Sequence, residues 1–336
     1  MPTALLLAGL PSAAYVLILN AIDRYEKEPW KLVLASLGLG AVAVPLVSMA
    51  ILAVLGRGFA LPLGYASGGD PEPVARIVEQ IVAAAMLLVL VRTVRHEFDD
   101  TLDGIVYGSA IGAGLGAAET FLYVIGGTAQ LESSTLALLL VSGLNQAFYG
   151  AVFGAIAGTV AHWRHRGRAW IVIALGVATA AFLSAFHDTL PAMLSRLVER
   201  PDAVTGLVTR LIAFLVNILG IVLLGVIVVA AWGREARILE RYLAPEVEAG
   251  VCDPDEVATL VSFRSRVARQ AAAIRQRRFR ELRAIRQLDV AQGELAFHNY
   301  RTAVRSTRPP EGVGEALRDR IRALRATLDK DRGTST

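Results

Sequence analysis

Apolar residues fall along the chain in seven blocks of about 20 residues or more, near 3–22, 31–55, 74–94, 103–126, 135–161, 169–195 and 207–232. At a rise of ~1.5 Å per residue, ~20 residues cover the ~30 Å hydrocarbon core of a bilayer, so each block predicts one membrane-spanning helix. Polar connections separate the blocks, and one of them, LGYASGGDPEP, has the Gly and Pro content of a surface loop. After residue 233 the pattern changes. DPDE at 253–256 predicts a helix start, with Asp253 as cap, Pro254 at the first helical position and Glu256 closing a capping box. The helix is expected to continue through RSRVARQAAAIRQRRFRELRAIR, which holds nine arginines against one glutamate. The fold predicted is all-α: a polytopic transmembrane bundle of about seven spans over residues 1–233, followed by a basic helical tail over 234–336.

Composition agrees with that pattern. With 54% hydrophobic residues, 19% charged and a mean hydropathy of +0.50, the 336-residue chain is too apolar for an ordinary soluble domain and too long for a single anchor. Basic residues gather in alternate connections: Arg24, Lys27 and Lys31; Arg92 and Arg95; Arg164, Arg166 and Arg168; then Arg234, Arg237 and Arg241. The positive-inside rule places these on the cytoplasmic side of the cell membrane, with the N-terminus outside and the C-terminus in the cytoplasm. MPTALLLAGL has no basic residue ahead of its apolar stretch and is read as a retained first span. From residue 234 onward there are 21 basic and 15 acidic residues, against 13 and 15 before it, so the net positive charge sits in the tail. An arginine-rich tail beside a membrane suits anionic lipid headgroups in preference to nucleic acid, or simply forms a solvated face. The one cysteine, Cys252, permits no internal disulfide, and no zinc-type Cys/His spacing occurs, which argues against redox chemistry.

Ionisable groups inside spans cost ~2.5–3.5 kcal/mol at the bilayer centre on insertion scales, and they face a bundle interior or a cavity. Glu79, Glu119 and His187 are of this kind, accompanied by Gln80, Asn145, Gln146, Asp188 and Asn217. Counted along their helices at ~1.5 Å per residue, the three fall in one layer in the outer half of the core. Gly104, Gly108, Gly112 and Gly116 recur every four residues, as do Gly150, Gly154 and Gly158. Such columns let helix backbones approach closely, and they place Glu119 and Gln146 beside packing faces.

The stretch EFDDTLDGIVYGSAIGAGLGAAETFLYV resembles the hallmark of the PrsW family of intramembrane proteases: an acidic loop and a DG-x-x-Y-G entry leading to a Gly-rich span, with a glutamate just before F/L-L-Y. DRYEKEPWKL, with Asp23, Glu26, Glu28 and Pro29, is similar to the family's D-x-x-E-x-E-P segment. The resemblance covers nearly the whole chain. It implies an endopeptidase, related to the CAAX-type prenyl proteases, that cleaves membrane-spanning protein substrates such as anti-sigma factors through paired glutamates and histidines on different spans. Glu79, Glu119 and His187 are then the catalytic residues, of glutamic type or as ligands of one divalent, zinc-like metal. Asp23, Glu26, Glu28 and Asp103 form the acidic loop motif.

The chain departs from the family pattern within the site. Of E-E-x-x-K, Glu79 is kept, Gln80 replaces the second glutamate and Ala83 the lysine; Gln146 stands where a histidine is expected. A glutamine cannot accept a proton, although it can orient water or donate to an oxyanion. Two readings follow: a protease with a minimal site, or a catalytically degenerate relative that binds single-span partners without cleaving them. A transporter finds no support in any clear inverted repeat with broken helices.

Overall fold

The computed structural model describes residues 2–22, 28–56, 73–94, 98, 100–125, 133–160, 166–197, 203–304 and 312–333. Among the described residues the regular structure is entirely helical. The chain forms two compact units that divide between Val228 and Val229.

The first unit holds α1 (Pro2–Ile22), α2 (Trp30–Gly38), α3 (Val44–Val54), α4 (Pro73–Thr93), α5 (Thr101–Ile125), α6 (Ser133–Val160), α7 (Arg166–Leu197) and the first part of α8 (Ala203–Glu248). Helix covers each of the seven apolar blocks. Four stretches among the described residues are both long and apolar enough to cross a membrane: Trp30–Val54, Pro73–Thr93, Thr101–Ile125 and Gly167–His187. The second block is one continuous helix because α2 and α3 are joined by a π-helical turn, Leu39–Ala43. Pro45 has no N–H to offer the carbonyl four residues back, and the Val44 N–H reaches five residues back to Leu39, which widens the turn. Gly40 in that turn lies against the Ile111 carbonyl of α5, where a side chain would not fit.

α5 is the central helix, buried without interruption from Leu102 to Gly116. Its start is fixed locally. Asp100 Oδ1 accepts from the N–H groups of Leu102 (2.7 Å) and Asp103 (3.3 Å), and Asp103 Oδ2 accepts from the Asp100 N–H at 2.8 Å. Asp103, read from the sequence as part of an acidic loop, therefore lies in the first turn of a helix and closes a capping box. From there the two glycine columns meet backbone to backbone: a Cβ on Gly104 would fall on the Gly154 carbonyl, and one on Gly108 on the Gly150 carbonyl. Lipid tails offer no hydrophobic drive for helix association, so this close van der Waals packing is what joins α5 to α6. Large apolar side chains such as Leu46, Val54, Val89, Ile171 and Leu175 are exposed, as a lipid-facing exterior requires.

The second unit contains the end of α8 with α9 (Pro254–Val261), α10 (Phe263–Arg275), α11 (Phe279–Val304) and α12 (Val313–Gly333). Leu239, Leu243, Cys252, Leu260, Leu288, Leu295 and Ile321 form its apolar core. α8 runs unbroken past residue 233, because nothing in WGREARILE interrupts a helix. The expected capping box opens α9: the Asp253 side chain accepts from the Asp255 N–H at 2.9 Å, and Glu256 reaches back to the Asp253 N–H. The helix expected to run from Pro254 through the arginine-rich segment is three: α9 ends at Val261, Ser262 caps α10, and the run itself divides between α10 and α11. α10 closes with the Arg278 N–H on the Ala273 carbonyl and the Arg277 N–H on that of Ile274, both at 2.9 Å. This is a Schellman closure, and Arg277, at φ 54°, holds the left-handed position where glycine is usual.

One buried carboxylate ties the tail unit together. Glu246 accepts from Arg318 Nε (2.9 Å) and Nη2 (2.7 Å) and from Asn299 Nδ2 (3.0 Å). The Arg318 guanidinium holds its carboxyl below the usual carboxylate range. A lowered folded pKa stabilises the unit above the ordinary carboxylate range, and that stability is lost as pH falls through the lowered value. Glu246→Ala is expected to destabilise the tail unit by about 2–3 kcal/mol, at the low end for a broken buried pair because Arg318 is partly solvated. Limited proteolysis of the tail across a temperature series measures this, and the difference from the parent should shrink in acid.

Candidate active site

The polar residues of three helices meet in one buried cluster. α4 carries Arg76, Glu79 and Gln80, spaced i, i+3, i+4 and therefore on one face. α5 brings Glu119, three residues beyond Gly116 of its glycine column, and α6 brings Gln146, whose own carbonyl packs where a Cβ on Gly112 would fall. The glycine packing thus sets how far apart Glu119 and Gln146 can stand.

A chain of hydrogen bonds links the five side chains. Arg76 Nη1 donates to Glu79 Oε2 at 3.0 Å and also to Glu119 Oε1. Gln146 Nε2 donates to the same Glu119 oxygen at 2.8 Å, and Gln80 Nε2 donates to Gln146 Oε1 at 2.8 Å. All five are 5% exposed or less. Two carboxylates and one guanidinium are therefore removed from solvent together, an arrangement that is tolerated only when the charges are paired and hydrogen-bonded.

The structure brings together Glu79, Glu119, Gln80 and Gln146. The Glu79 side chain is fully buried. His187 of α7 is half-buried, with Nε2 3.5 Å from Nδ2 of Asn145, the neighbour of Gln146. Glu28 and Asp103 lie elsewhere. Glu28 accepts from the Tyr107 hydroxyl, and Tyr107 and Asp103 precede Glu119 on α5 by 12 and 16 residues, about 18 and 24 Å of helix. Asp23 and Glu26 lie outside the described residues, as do the side chains of Asp188 and Asn217. Arg76 is the member that sequence reasoning missed. It sits near the start of an apolar block, where a basic residue reads as an interfacial flank, and its i,i+3 spacing to Glu79 was the available signal.

The donor set does not fit a divalent metal. Glu79 and Glu119 both accept from the Arg76 guanidinium and Glu119 also from the Gln146 amide, so a cation and an amide stand where further anionic or imidazole ligands would be needed. Among the described residues, no three His, Cys, Asp or Glu side chains come together at metal-binding spacing.

A sequence model described as PrsW family intramembrane metalloprotease matches residues 28–232. The protease PrsW of Bacillus subtilis (strain 168) is 30% identical over 180 residues, which span 52% of this chain and 77% of that protein. No solved structure matches the chain. The matched region runs from the residues just before α2 into α8 and includes every residue of the buried cluster, so the chain belongs to the PrsW family of intramembrane proteases.

Proposed function

We propose that this protease cleaves single-span membrane proteins of anti-sigma-factor type through a two-glutamate site supported by Arg76. With both carboxylates ionised the Arg76–Glu79–Glu119 trio carries one negative charge; holding one proton it is neutral and contains both a base and an acid. In that form one carboxylate takes a proton from the attacking water and the other carboxyl gives one to the departing amide nitrogen. Water adds to the scissile carbonyl, and the tetrahedral intermediate collapses with loss of the amine. The amide groups of Gln80 and Gln146 orient the carboxylates, and His187, beside Asn145, stabilises the developing oxyanion from α7. The cleavage layer lies toward the outer half of the membrane, with the N-terminus outside and the tail in the cytoplasm.

The observation that supports this reading is a pair of buried glutamates on separate spans of a family protease, both accepting from the Arg76 guanidinium. Its test is N-terminal labelling of membrane-protein fragments in cells carrying the native chain, Glu119→Ala or a deletion. Fragments present with the native chain and lost in both others establish the activity and name the substrate. Fragments absent in all three, with a phenotype only in the deletion, favour the degenerate binding relative, a reading that Gln80 and Gln146 keep in view. Because a guanidinium stands between the carboxylates, cleavage by the purified chain is expected to be insensitive to EDTA. Chelator-induced loss that zinc restores would reinstate the metal reading.

A further inference from the structure

α10 places Ala273 in the core of its unit but keeps its larger apolar side chains outside it. Val267, Ala271 and Ile274 recur at helical spacing and form an apolar stripe, yet Val267 is 46% and Ile274 48% exposed. The other side of the helix is turned inward. Arg266 is buried, Arg269 pairs with Asp289 of α11, and Gln270 donates to the same carboxylate at 3.4 Å. Rolling α10 to bury its stripe would leave the largely buried Asp289 without these donors, so the polar contacts hold the stripe outward. Beyond the Schellman turn, Phe279 at the head of α11 is 64% exposed. Arg264, Arg275, Arg277, Arg278, Arg280 and Arg283 are all exposed in the same segment, and Glu281 is the one acidic residue between 263 and 286.

We propose that this surface rests on an anionic lipid leaflet, with Val267, Ile274 and Phe279 entering the headgroup boundary and the surrounding arginines pairing with lipid phosphates. Exposed apolar side chains ringed by arginine are the composition of a helix lying in a membrane interface. Charge selects the occupant. A second copy of the chain would set like-charged arginines against each other, whereas an anionic leaflet complements them. The leaflet is also at hand, because this unit follows the seventh apolar block directly along the chain. Arg277 adds to the case: the residue that occupies a glycine position at the turn is one that contributes charge to this surface.

Full-length protein reconstituted in phosphatidylethanolamine vesicles with or without phosphatidylglycerol tests the assignment. Val267→Cys, Ile274→Cys and Phe279→Cys each carry an environment-sensitive fluorophore, with Ala326→Cys on α12 as reference. Native Cys252 stays unlabelled, since it is buried and its thiol is pushed up to about 12. Labels at 267, 274 and 279 are expected to be quenched more by lipids spin-labelled near the headgroup than by deep-labelled ones, in keeping with ~5–10 Å of insertion. That quenching should fall without phosphatidylglycerol, and in 1 M salt, where the Debye length shortens to ~3 Å. Arg277→Gly should weaken it while raising the tail's melting temperature, which separates loss of charge from loss of fold. Equal quenching at all four positions by aqueous iodide, with none from lipid, overturns the proposal. Protection that persists in detergent overturns it in favour of a protein partner, and protection that appears only with added RNA overturns it in favour of nucleic acid.

Discussion

Arg76→Ala is expected to abolish cleavage and to destabilise the membrane unit by about 3–5 kcal/mol, the range for removing one member of a buried ion pair. The guanidinium is the cation shared by Glu79 and Glu119, and without it two buried carboxylates lose their common counter-charge. Arg76→Lys separates charge from shape. A compact ammonium restores a positive charge but not a rigid fork of donors, so stability should return in part and activity less. Glu119→Gln separates chemistry from structure in the other direction. An amide oxygen still accepts from Arg76 and Gln146, so the fold survives, but it cannot take a proton from water. Cleavage should then fall by about 10²–10⁴-fold, the contribution of a positioned general base. Thermal unfolding and cleavage of one membrane-embedded substrate, measured on all three variants, check the set. Native-level cleavage by Arg76→Ala would remove the guanidinium from the mechanism.

What the sequence made legible was what local chemistry fixes. Block length gave the helices, the four-residue glycine period gave the α5–α6 face, and DPDE gave the start of α9. Arg76 was hidden because its meaning lies in a contact with Glu119, 43 residues away. The break after α10 was hidden because Arg277 occupies a backbone position that sequence rules reserve for glycine. The orientation of α10 is the clearest case. An apolar stripe at helical spacing normally marks the buried side, and here Asp289 of α11 holds Arg269 and Gln270 inward instead. In the membrane unit large apolar side chains such as Leu46 and Ile171 are exposed toward lipid, while glycine and paired charge are buried beside apolar residues such as Leu87 and Ile111.

The packing of α5 on α6 supplies the second large effect, because the proposed active site is positioned by it. Gly108→Leu is expected to destabilise the membrane unit by about 3 kcal/mol or more, at or beyond the upper end for overpacking. A Cβ there would meet the Gly150 carbonyl oxygen and lie 3.1 Å from the Gly154 Cα, and both are backbone that cannot swing aside. The helices must separate to admit the larger side chain. Separation does not stay local, since Glu119 and Gln146 stand on the same two faces and their 2.8 Å hydrogen bond leaves little room to lengthen. Activity should therefore fall further than the loss of folded protein accounts for. Gly225→Leu is the matched control: it lies in an apolar stretch of α8 with nothing within 4 Å of its Cβ, and should leave the melting temperature unchanged or raise it. Equal melting temperatures for Gly108→Leu and Gly225→Leu would mean that the glycine columns do not set the helix spacing. Unequal ones, with cleavage per folded molecule reduced only in Gly108→Leu, would show that the spacing of two backbones positions the glutamate proposed for the chemistry.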